Sequence, residues 1–325
     1  MSADLLPPSP SSLSSSPSSF SPSSSSSSSS YERALRHVEA LAGDSGAPLD
    51  TRLRVTLNFH PDRTAGDRHI LTALAADGVY RSQFVTGTSN GGLTAHPGGD
   101  RWRWESRIFG GAYDEAPADE RPVYGALNFR DDPVGAAARF GSAHFRLTAG
   151  TLARATFCYP DSCFEPSAFG VASRMALVEL AEADARDPGG AGYERDALDG
   201  YVEAQVHAPV RLDRDVEALV LDPSHRGTAV EAAARLLPCP IEWHGGFRLT
   251  VEELSRHPDY RGAEYVELGA AIAEDGLLDP RVLGVAAGTG RYDQQGLKKV
   301  WHCVARYGRR ERDRVAGGAG GPQEA

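Results

Sequence analysis

The sequence predicts an α+β protein whose sheets are antiparallel or mixed. Short runs in which apolar and polar residues alternate, the pattern of half-buried strands, recur between Leu53 and Leu221. Segments with apolar residues at helical spacing lie before, between and after these runs, without the regular strand and helix alternation of a doubly wound sheet. The 325-residue chain is long enough to bury a core as one large domain or two interlocked ones.

Five stretches have the periodicity of amphipathic helices. The predicted helices are Tyr31–Leu41, His69–Ala76, Phe169–Ala185, Glu264–Ala273 and Leu297–Arg306. The first two are followed by glycines, Gly43 and Gly78, which favour the end of a helix.

Strands are predicted wherever alternation is clear. They are Leu53–Phe59, Val79–Val85, Pro122–Phe129, Phe140–Leu147, Arg154–Tyr159, Tyr201–His207 and Val216–Leu221. Trp102–Phe109, which mixes aromatic and charged residues, suits a strand or the rim of a cleft, and Pro240–Leu249 is typical of a hairpin around two glycines. In Phe140–Leu147 the polar set of Ser142, His144 and Arg146 is expected to point away from the core.

The two ends of the chain differ from the rest. Residues 1–30 are almost all Ser and Pro, too poor in apolar surface to offset the entropy of ordering, and are predicted to be disordered. The folded domain is assigned to residues 31–310 and a disordered tail to residues 311–325. The serine-rich start lacks the basic and apolar regions of a secretory signal, and no stretch approaches the roughly 20 apolar residues that span a bilayer.

Charge and cysteine content narrow the function classes. Lys and Arg number 34 against 44 Asp and Glu, a net charge of −10, which disfavours nucleic-acid binding. The four cysteines lack the paired spacing of a zinc site or disulfide framework, so reduced thiols and a cytoplasmic location are the default expectation, with export as an effector left open. We expect no metal and no membrane association.

The stretch from Tyr80 to Thr94 has the composition of a small-molecule site. A predicted strand carrying Arg81 and Gln83 runs into a loop of small polar residues and glycines, which let the backbone approach a ligand; it contains Thr86, Gly87, Thr88, Ser89, Asn90 and Gly91. A guanidinium beside such a loop suits phosphate or carboxylate. The alternative is a solvated arginine followed by an ordinary surface loop.

A second candidate wall is the strand Tyr201–His207. It would place Tyr201, Glu203, Gln205 and His207 on one face, which is typical of a cleft, although an exposed strand carboxylate is the simpler interpretation of Glu203. The phosphate-binding GxxxxGK[ST] loop, a properly spaced dinucleotide fingerprint and HExxH are absent from the sequence.

Several motifs occur in an order that resembles a known family. They are Asn58–Arg63 (NFHPDR), Tyr80–Phe84 (YRSQF), Thr86–Thr94 (TGTSNGGLT), Trp104–Arg107 (WESR), Tyr124–Asn128 (YGALN), Gly141–Phe145 (GSAHF) and Tyr201–His207 (YVEAQVH). This set resembles the CteC-like family of mono-ADP-ribosyltransferases, which is similar to poly(ADP-ribose) polymerases and was formerly classed as a domain of unknown function. The resemblance covers roughly Leu53 to Cys303.

The resemblance implies a fold of two small packed sheets that hold NAD+ in a cleft, with helical elements appended for acceptor recognition. It implies transfer of ADP-ribose to a protein hydroxyl, with a threonine of ubiquitin as one candidate acceptor. By the same resemblance Arg81 matches the first NAD-binding element and Glu203 the catalytic glutamate. Asp161 is assigned as the second catalytic carboxylate. The middle element is either Ser142 or the turn Tyr159–Ser162.

Two other interpretations stay open at this stage. One is a catalytically silent module that binds a nucleotide or protein on the same fold. The other is an unrelated hydrolase built on His60, Asp62 and His144, which requires those three side chains to converge far from Arg81. One histidine and one carboxylate in the turn after the first strand are too few for a metal site.

Overall fold

The structure, a computed structural model, describes residues 28–309 apart from 43, 45, 66, 88–93 and 188–195. Of the residues predicted to be disordered, 1–27 and 311–325 lie outside the described residues, whereas Ser30 already belongs to a helix. The candidate ligand-binding positions Thr88, Ser89, Asn90 and Gly91 also lie outside the described residues.

The described residues form an α+β structure, so the predicted fold class is confirmed at that level. The strands are β1 (Val55–Phe59), β2 (Thr64–Ala65), β3 (Arg68–His69), β4 (Val79–Tyr80), β5 (Val123–Leu127), β6 (Ala143–Leu147), β7 (Ala155–Tyr159), β8 (Ala168–Val171), β9 (Val202–Val206), β10 (Val210–Arg211), β11 (Val216–Leu221), β12 (Ile241–Trp243), β13 (Leu249–Thr250) and β14 (Leu277–Leu278). The helices are α1 (Ser30–Ala42), α2 (Ile70–Asp77), α3 (Gln83–Thr86), α4 (Asp100–Ile108), α5 (Leu177–Arg186), α6 (Ala229–Ala234), α7 (Val251–Leu254), α8 (Pro258–Arg261), α9 (Ala263–Ile272), α10 (Pro280–Gly288) and α11 (Gln294–Tyr307). No described helix is both long and apolar enough to cross a membrane.

Eight strands form one sheet in the order β12-β11-β6-β1-β5-β9-β7-β8. All neighbours in it are antiparallel except β11 and β12, which run parallel. The expectation of two small sheets is therefore wrong, because β5 hydrogen-bonds to β1 on one side and to β9 on the other and so joins the two halves.

The seam between the two halves is short. β1 and β5 pair at two positions, Val55 with Leu127 and Thr56 with Ala126, whereas β5 and β9 pair at five. Beyond Thr56 the two strands no longer pair, and Asn58 and Phe59 on one strand and Val123–Gly125 on the other line a common cavity. The sheet is thus forked between β1 and β5, and the fork is where a ligand has room to enter.

Apolar side chains pack in three main clusters. The largest buries the faces of the sheet strands against α2, α5 and α6, and a second surrounds α11 with α7, α9 and α10. A third packs α1 and α4 against β7 and β8. In β9 the alternation divides two environments: Val202, Ala204 and Val206 join the largest cluster, while Glu203 and Gln205 face the other side and are also buried.

Two elements near the focal stretch differ from prediction. The strand expected over Val79–Val85 ends at Tyr80, because the Ser82 carbonyl accepts the backbone N–H groups of Val85 and Thr86 and starts the helical turn α3. Trp102–Phe109 is helical rather than extended. In α4 the buried residues recur at helical spacing: Arg101, Trp104, Glu105 and Ile108.

Three further expectations are corrected. The helix predicted over Phe169–Ala185 starts only at Leu177, as α5. Phe169 itself is extended, because it lies in β8, which pairs with β7. Pro240–Leu249 is not a hairpin, since β12 pairs with β11 and β13 pairs with β14. Ser142 and His144 are buried, because other segments of the protein cover that face of β6, and His244 Nε2 donates to the Ser142 carbonyl.

Candidate functional site

The fork in the sheet opens into a cavity of about 600 Å³. Its walls come from the ends of β1, β4, β5 and β9, from α2, α3, the start of α4 and the turn after β7, and from the start of α11. The volume falls within the range of about 300–1,000 Å³ typical of small-molecule sites. Residues that pack in two of the apolar clusters, among them Phe59 and Tyr124, contribute to its lining, so the cavity extends into the folded core.

Glu203 on β9 forms the deep wall of this cavity and is 4% exposed. Its Oε1 accepts a hydrogen bond from Gln205 Nε2 at 2.9 Å, and its Oε2 accepts one from the Ser162 hydroxyl at 2.9 Å. The Cys158 thiol lies 3.6 Å from Oε1. Both carboxylate oxygens therefore have donors, which fixes the side chain and favours its ionised form.

Asp161 lies in the turn after β7, lines the same cavity and is 6% exposed. Its Oδ1 accepts the Cys163 backbone N–H at 2.7 Å, which caps the short 3-10 turn that follows. Its Oδ2 accepts the hydroxyl of Tyr201, another cavity residue. The carboxylate is thus held by one backbone and one side-chain donor at the same end of the cavity as Glu203.

The two carboxylates interact electrostatically. Burial, followed by the nearby charge of Asp161, raises the pKa of Glu203 to about 7, against the opposing effects of Arg101, Gln205 and Ser162. Burial and the charges of Asp161 and Glu203 also raise the pKa of the Tyr201 hydroxyl well above its usual value, so it keeps its proton. A titratable carboxylate pair in a cleft is a recognised mark of acid and base chemistry.

A hydrogen-bonded chain behind Glu203 fixes the orientation of the Gln205 amide. The Thr156 hydroxyl donates to Gln205 Oε1 at 2.8 Å, so the amide N–H groups face Glu203. The Thr156 hydroxyl therefore has no further proton to donate, so His207 Nε2, 3.0 Å away, donates to the Thr156 oxygen. His207 Nδ1 in turn accepts from the Tyr113 hydroxyl at 2.7 Å. Burial lowers the pKa of His207 to about 3, consistent with this neutral tautomer.

A buried ion pair continues the same network. Arg121 donates to Glu105 at 2.6 Å and to the Tyr113 carbonyl at 2.7 Å, and the Tyr124 hydroxyl donates to Glu105 at 2.8 Å. Arg121 also stacks over the Phe84 ring of α3 at 4.3 Å. The network thus links β9 to Tyr124 in the cavity wall and, through Phe84, to α3, which contains the candidate site residues Gln83 and Thr86.

The opposite wall contains Arg81, so the cavity unites Arg81 with Glu203. Arg81 is half-exposed and its Nε donates to Asp77 at 2.8 Å. Gln83 and Thr86 line the same wall, and Gln83 Oε1 is buried without a hydrogen-bond partner. Gly87 ends α3 in the left-handed conformation at φ 64°. Arg81, Gln83 and Thr86 therefore line the cavity, whereas Gly87 is not one of its lining residues.

Further cations reach the cavity from other elements. Arg63 follows β1, Arg139 precedes β6 and Lys298 lies on α11. Arg139 is paired with Asp199, and Arg63 donates to Gln294 of α11. With Arg81 and Arg101, five cations face four carboxylates in a chain whose net charge is −10. The cavity therefore favours an anionic ligand far more than the rest of the molecule does.

A protein-family model described as "Protein of unknown function (DUF3626)" matches residues 54–187 and 191–307. The chain belongs to this family. The DUF3626 match includes Arg81, Asp161 and Glu203 and every strand of the eight-stranded sheet. A comparison with curated proteins found no match.

Ser142 does not line the cavity of this DUF3626 protein, which corrects its assignment as a ligand-binding residue. It lies at the start of β6 with its carbonyl 2.8 Å from the His244 ring, and its hydroxyl is buried without a partner. The turn Tyr159–Ser162, the alternative, supplies the serine that contacts Glu203. The difference arises because β6 and β9 are separated in the sheet by β1 and β5.

The histidines and aspartate of the hydrolase hypothesis do not form a cluster. His60 lines the cavity that also contains Arg81, contrary to what that hypothesis requires. Asp62 packs against Gly284 of α10, and His144 lies beside Asn58 and His244. Among the described residues no hydrogen bond or ion pair joins these three side chains, nor can any group of three His, Cys, Asp or Glu side chains hold a metal ion.

Sequence reasoning missed Arg101, which lines the cavity and is 3% exposed. Treating Trp102–Phe109 as a strand hid it, whereas the helical spacing of Arg101, Trp104 and Glu105 could have revealed a helix with two charged residues on its buried face. Charges on a buried face indicate a paired network or a site.

Proposed function

We propose that this protein is an NAD-dependent mono-ADP-ribosyltransferase, which transfers ADP-ribose to a protein hydroxyl, and that its forked sheet is a joined form of the two sheets of the ADP-ribosyltransferase fold. The observation that carries the proposal is the pair of buried carboxylates, Asp161 and Glu203, in one cavity with Arg81. The resemblance of the chain's motifs to the CteC-like enzymes supplies the reaction class, and ubiquitin is one candidate acceptor.

Glu203 suits the first chemical demand of this reaction. As the bond between nicotinamide and ribose breaks, the bonding electrons leave with the nicotinamide and positive charge develops on the ribose. A fixed carboxylate nearby stabilises this developing charge. Because it stabilises the transition state more than the ground state, it lowers the barrier to the reaction. The hydrogen bonds from Gln205 and Ser162 hold Glu203 in place before the reaction, so little reorganisation is needed.

Asp161 suits the second demand. The acceptor oxygen forms a bond to the ribose carbon that nicotinamide leaves, and the acceptor must lose its proton. In our proposal Asp161 takes that proton as general base. Its bond from the Tyr201 hydroxyl, whose proton is tightly held, keeps the carboxylate oriented and provides a polar contact for a hydroxyl that enters beside it.

The rest of the cavity fits NAD as a substrate. Arg81 on the exposed wall would neutralise the diphosphate, with the other cations of the cavity adding to the positive potential. Gln83 and Thr86 offer hydrogen bonds to ribose or to the nicotinamide amide, and the unpartnered Gln83 Oε1 is an acceptor that a ligand N–H would satisfy. Tyr124, Phe140 and Tyr201 supply aromatic surface.

The test is transfer of label from adenylate-labelled NAD by the purified protein, first alone, then with ubiquitin, then with a cell lysate. We expect labelled acceptor and released nicotinamide with the wild type and neither with Glu203→Gln. Glu252→Gln, which changes a glutamate on α7 that is 80% exposed and outside the cavity, is the matched control. Binding of NAD without turnover under any acceptor would favour the silent module, and absence of NAD binding would overturn the proposal.

A further inference from the structure

Arg101 is the least explained charged residue of the cavity. It lies in the first turn of α4, is 3% exposed and has a buried Nε without a hydrogen-bond partner. Its guanidinium stacks over the Tyr124 ring at 3.9 Å. Burying a cation this completely is unfavourable unless nearby anions compensate for the lost hydration, so anionic groups are expected close to the Arg101 guanidinium.

The direct contact of Arg101 leads to Glu203. Arg101 NH1 donates to the Ser162 hydroxyl oxygen at 2.8 Å, and that hydroxyl donates its own proton to Glu203 Oε2 at 2.9 Å. The serine therefore transmits the orientation of the guanidinium to the carboxylate. In this arrangement Ser162 cannot turn its proton elsewhere without losing one of the two bonds.

The titratable groups facing Glu203 come from β5, from β7 and the turn after it, from the residue before β9, and from α4. Cys158 on β7, Tyr124 on β5 and Tyr201 beside β9 all have pKa values raised by burial, so they are neutral at ordinary pH. Asp161, in the turn after β7, is the nearby anion. On α4, Glu105 is compensated by its own ion pair with Arg121.

Arg101 is a cation whose charge lowers the pKa of Glu203, and it also acts on Asp161 and Glu105. Its removal would leave Glu203 and Asp161 close together in a buried setting without the counter-charge of Arg101, which favours protonation of one of them.

We infer that Arg101 is a further positioning residue: through the Ser162 hydroxyl it orients the Glu203 carboxylate in the cavity wall and stabilises its ionised form. Its kinetic consequence rests on the proposed function, while the electrostatic link between Arg101 and Glu203 does not. Arginine suits this task because its planar face stacks on Tyr124 while its edge reaches Ser162; a lysine would retain the charge but not both contacts.

The first test is the pH dependence of NAD cleavage. In Arg101→Gln we expect the rising limb of kcat/KM to move to higher pH by about one to two units, because the counter-charge near Glu203 is lost. Arg101→Lys, which keeps the charge, should restore most of that displacement while its kcat stays below the wild-type value. Arg103→Gln, a neighbour on α4 whose side chain is 64% exposed, is the matched control and should leave the profile unchanged.

The second test does not depend on activity. The pH at which Glu203 ionises is obtained from the difference in stability between the wild type and Glu203→Gln, measured across pH. The same titration without Arg101 is obtained from the difference between Arg101→Gln and the double variant Arg101→Gln/Glu203→Gln. We expect the second titration to lie at least one pH unit above the first. Arg101→Met replaces Arg101→Gln if the latter does not fold.

The outcomes separate the two proposals. If the wild type cleaves no NAD under any condition, the proposed function fails, and the stability titrations still decide the role of Arg101. If the wild type is active but both the pH profile and the Glu203 titration are the same in the neutral Arg101 variants, the inference is overturned while the function stands.

Discussion

The two walls of the cavity are built differently. Around Glu203 the polar groups are almost fully buried and belong to one hydrogen-bonded network that spans β5, β7, β9 and α4. Arg81 on the opposite wall is 41% exposed, and it forms an ion pair with Asp77, four residues earlier in the same chain segment. The buried wall is therefore suited to chemistry that needs fixed charges, and the exposed wall to ligand capture, which tolerates motion.

The largest expected effect is on the buried wall. If the proposed function holds, Glu203→Gln should reduce ADP-ribose transfer by on the order of 10²–10⁴-fold, because the charge proposed to stabilise the reacting ribose is lost. The same change should increase stability at pH 8 but not at pH 4. The folded pKa of about 7 lies above the unfolded value of 4.5, so wild-type Glu203 destabilises the fold increasingly as pH rises through that interval.

Initial rates with labelled NAD and thermal unfolding at pH 4 and pH 8 check both halves of this prediction. A variant that lost activity and was also less stable than the wild type at pH 8 would show that Glu203 has a structural role that outweighs its electrostatic strain.

The next largest effect concerns the ion pair that supports the buried wall. Arg121→Ala should lower the free energy of unfolding by about 3–5 kcal/mol, because Glu105 would remain buried without its partner. Denaturant titration measures this. Arg121→Ala combined with Glu105→Gln should recover part of the loss, since the uncompensated charge is then absent; failure to recover any would contradict the electrostatic explanation.

Acid should act on the buried parts of the molecule through its histidines. Burial lowers the pKa values of His60, His144 and His207 to about 3 and that of His225 to about 4. Above pH 6.5 these groups are neutral in both states. Below it the unfolded chain binds protons that the folded chain does not, so each histidine removes about 1.4 kcal/mol of stability per pH unit until its folded pKa is reached.

Glu203 and Glu105 oppose this trend between pH 7 and pH 4.5, since their raised pKa values make the folded state the stronger proton binder. We expect the histidines to dominate and the protein to unfold cooperatively between about pH 6 and pH 4. The variant His207→Gln should reduce the slope of stability against pH by about one proton. An unchanged slope would mean that His207 is protonated in the folded state.

The smallest effect is expected on the exposed wall. Arg81→Ala should weaken NAD binding by about tenfold, the typical worth of one charge-assisted contact, and should change stability by no more than about 1 kcal/mol, as for other exposed ion pairs. Calorimetric titration with NAD and denaturant unfolding measure the two effects. A stability loss as large as that of Arg121→Ala would abolish the distinction between the walls.

The sequence was sufficient where local patterns decide the structure. Alternation located the strands β1, β5, β7, β9 and β11, and helical spacing located α1, α2, α9 and α11. It failed for α4, where aromatic and charged residues satisfy both periods over a short segment. It also failed for β12, which pairs in parallel with the preceding strand β11, across the intervening helix α6, and not with the segment that follows it. Strand pairing depends on contacts between remote residues, which periodicity does not contain.

The site divides in the same way. The sequence by itself determined that β9 carries a polar face with Glu203 in it, because alternation follows from the geometry of an extended chain. Only the tertiary structure decided that Asp161, Glu203 and Arg81 share a cavity, that Ser162 and not Ser142 contacts the glutamate, and that Arg101 is buried beside them. Those facts follow from the order of strands in the sheet and from the fork between β1 and β5, which arise when distant segments pack together.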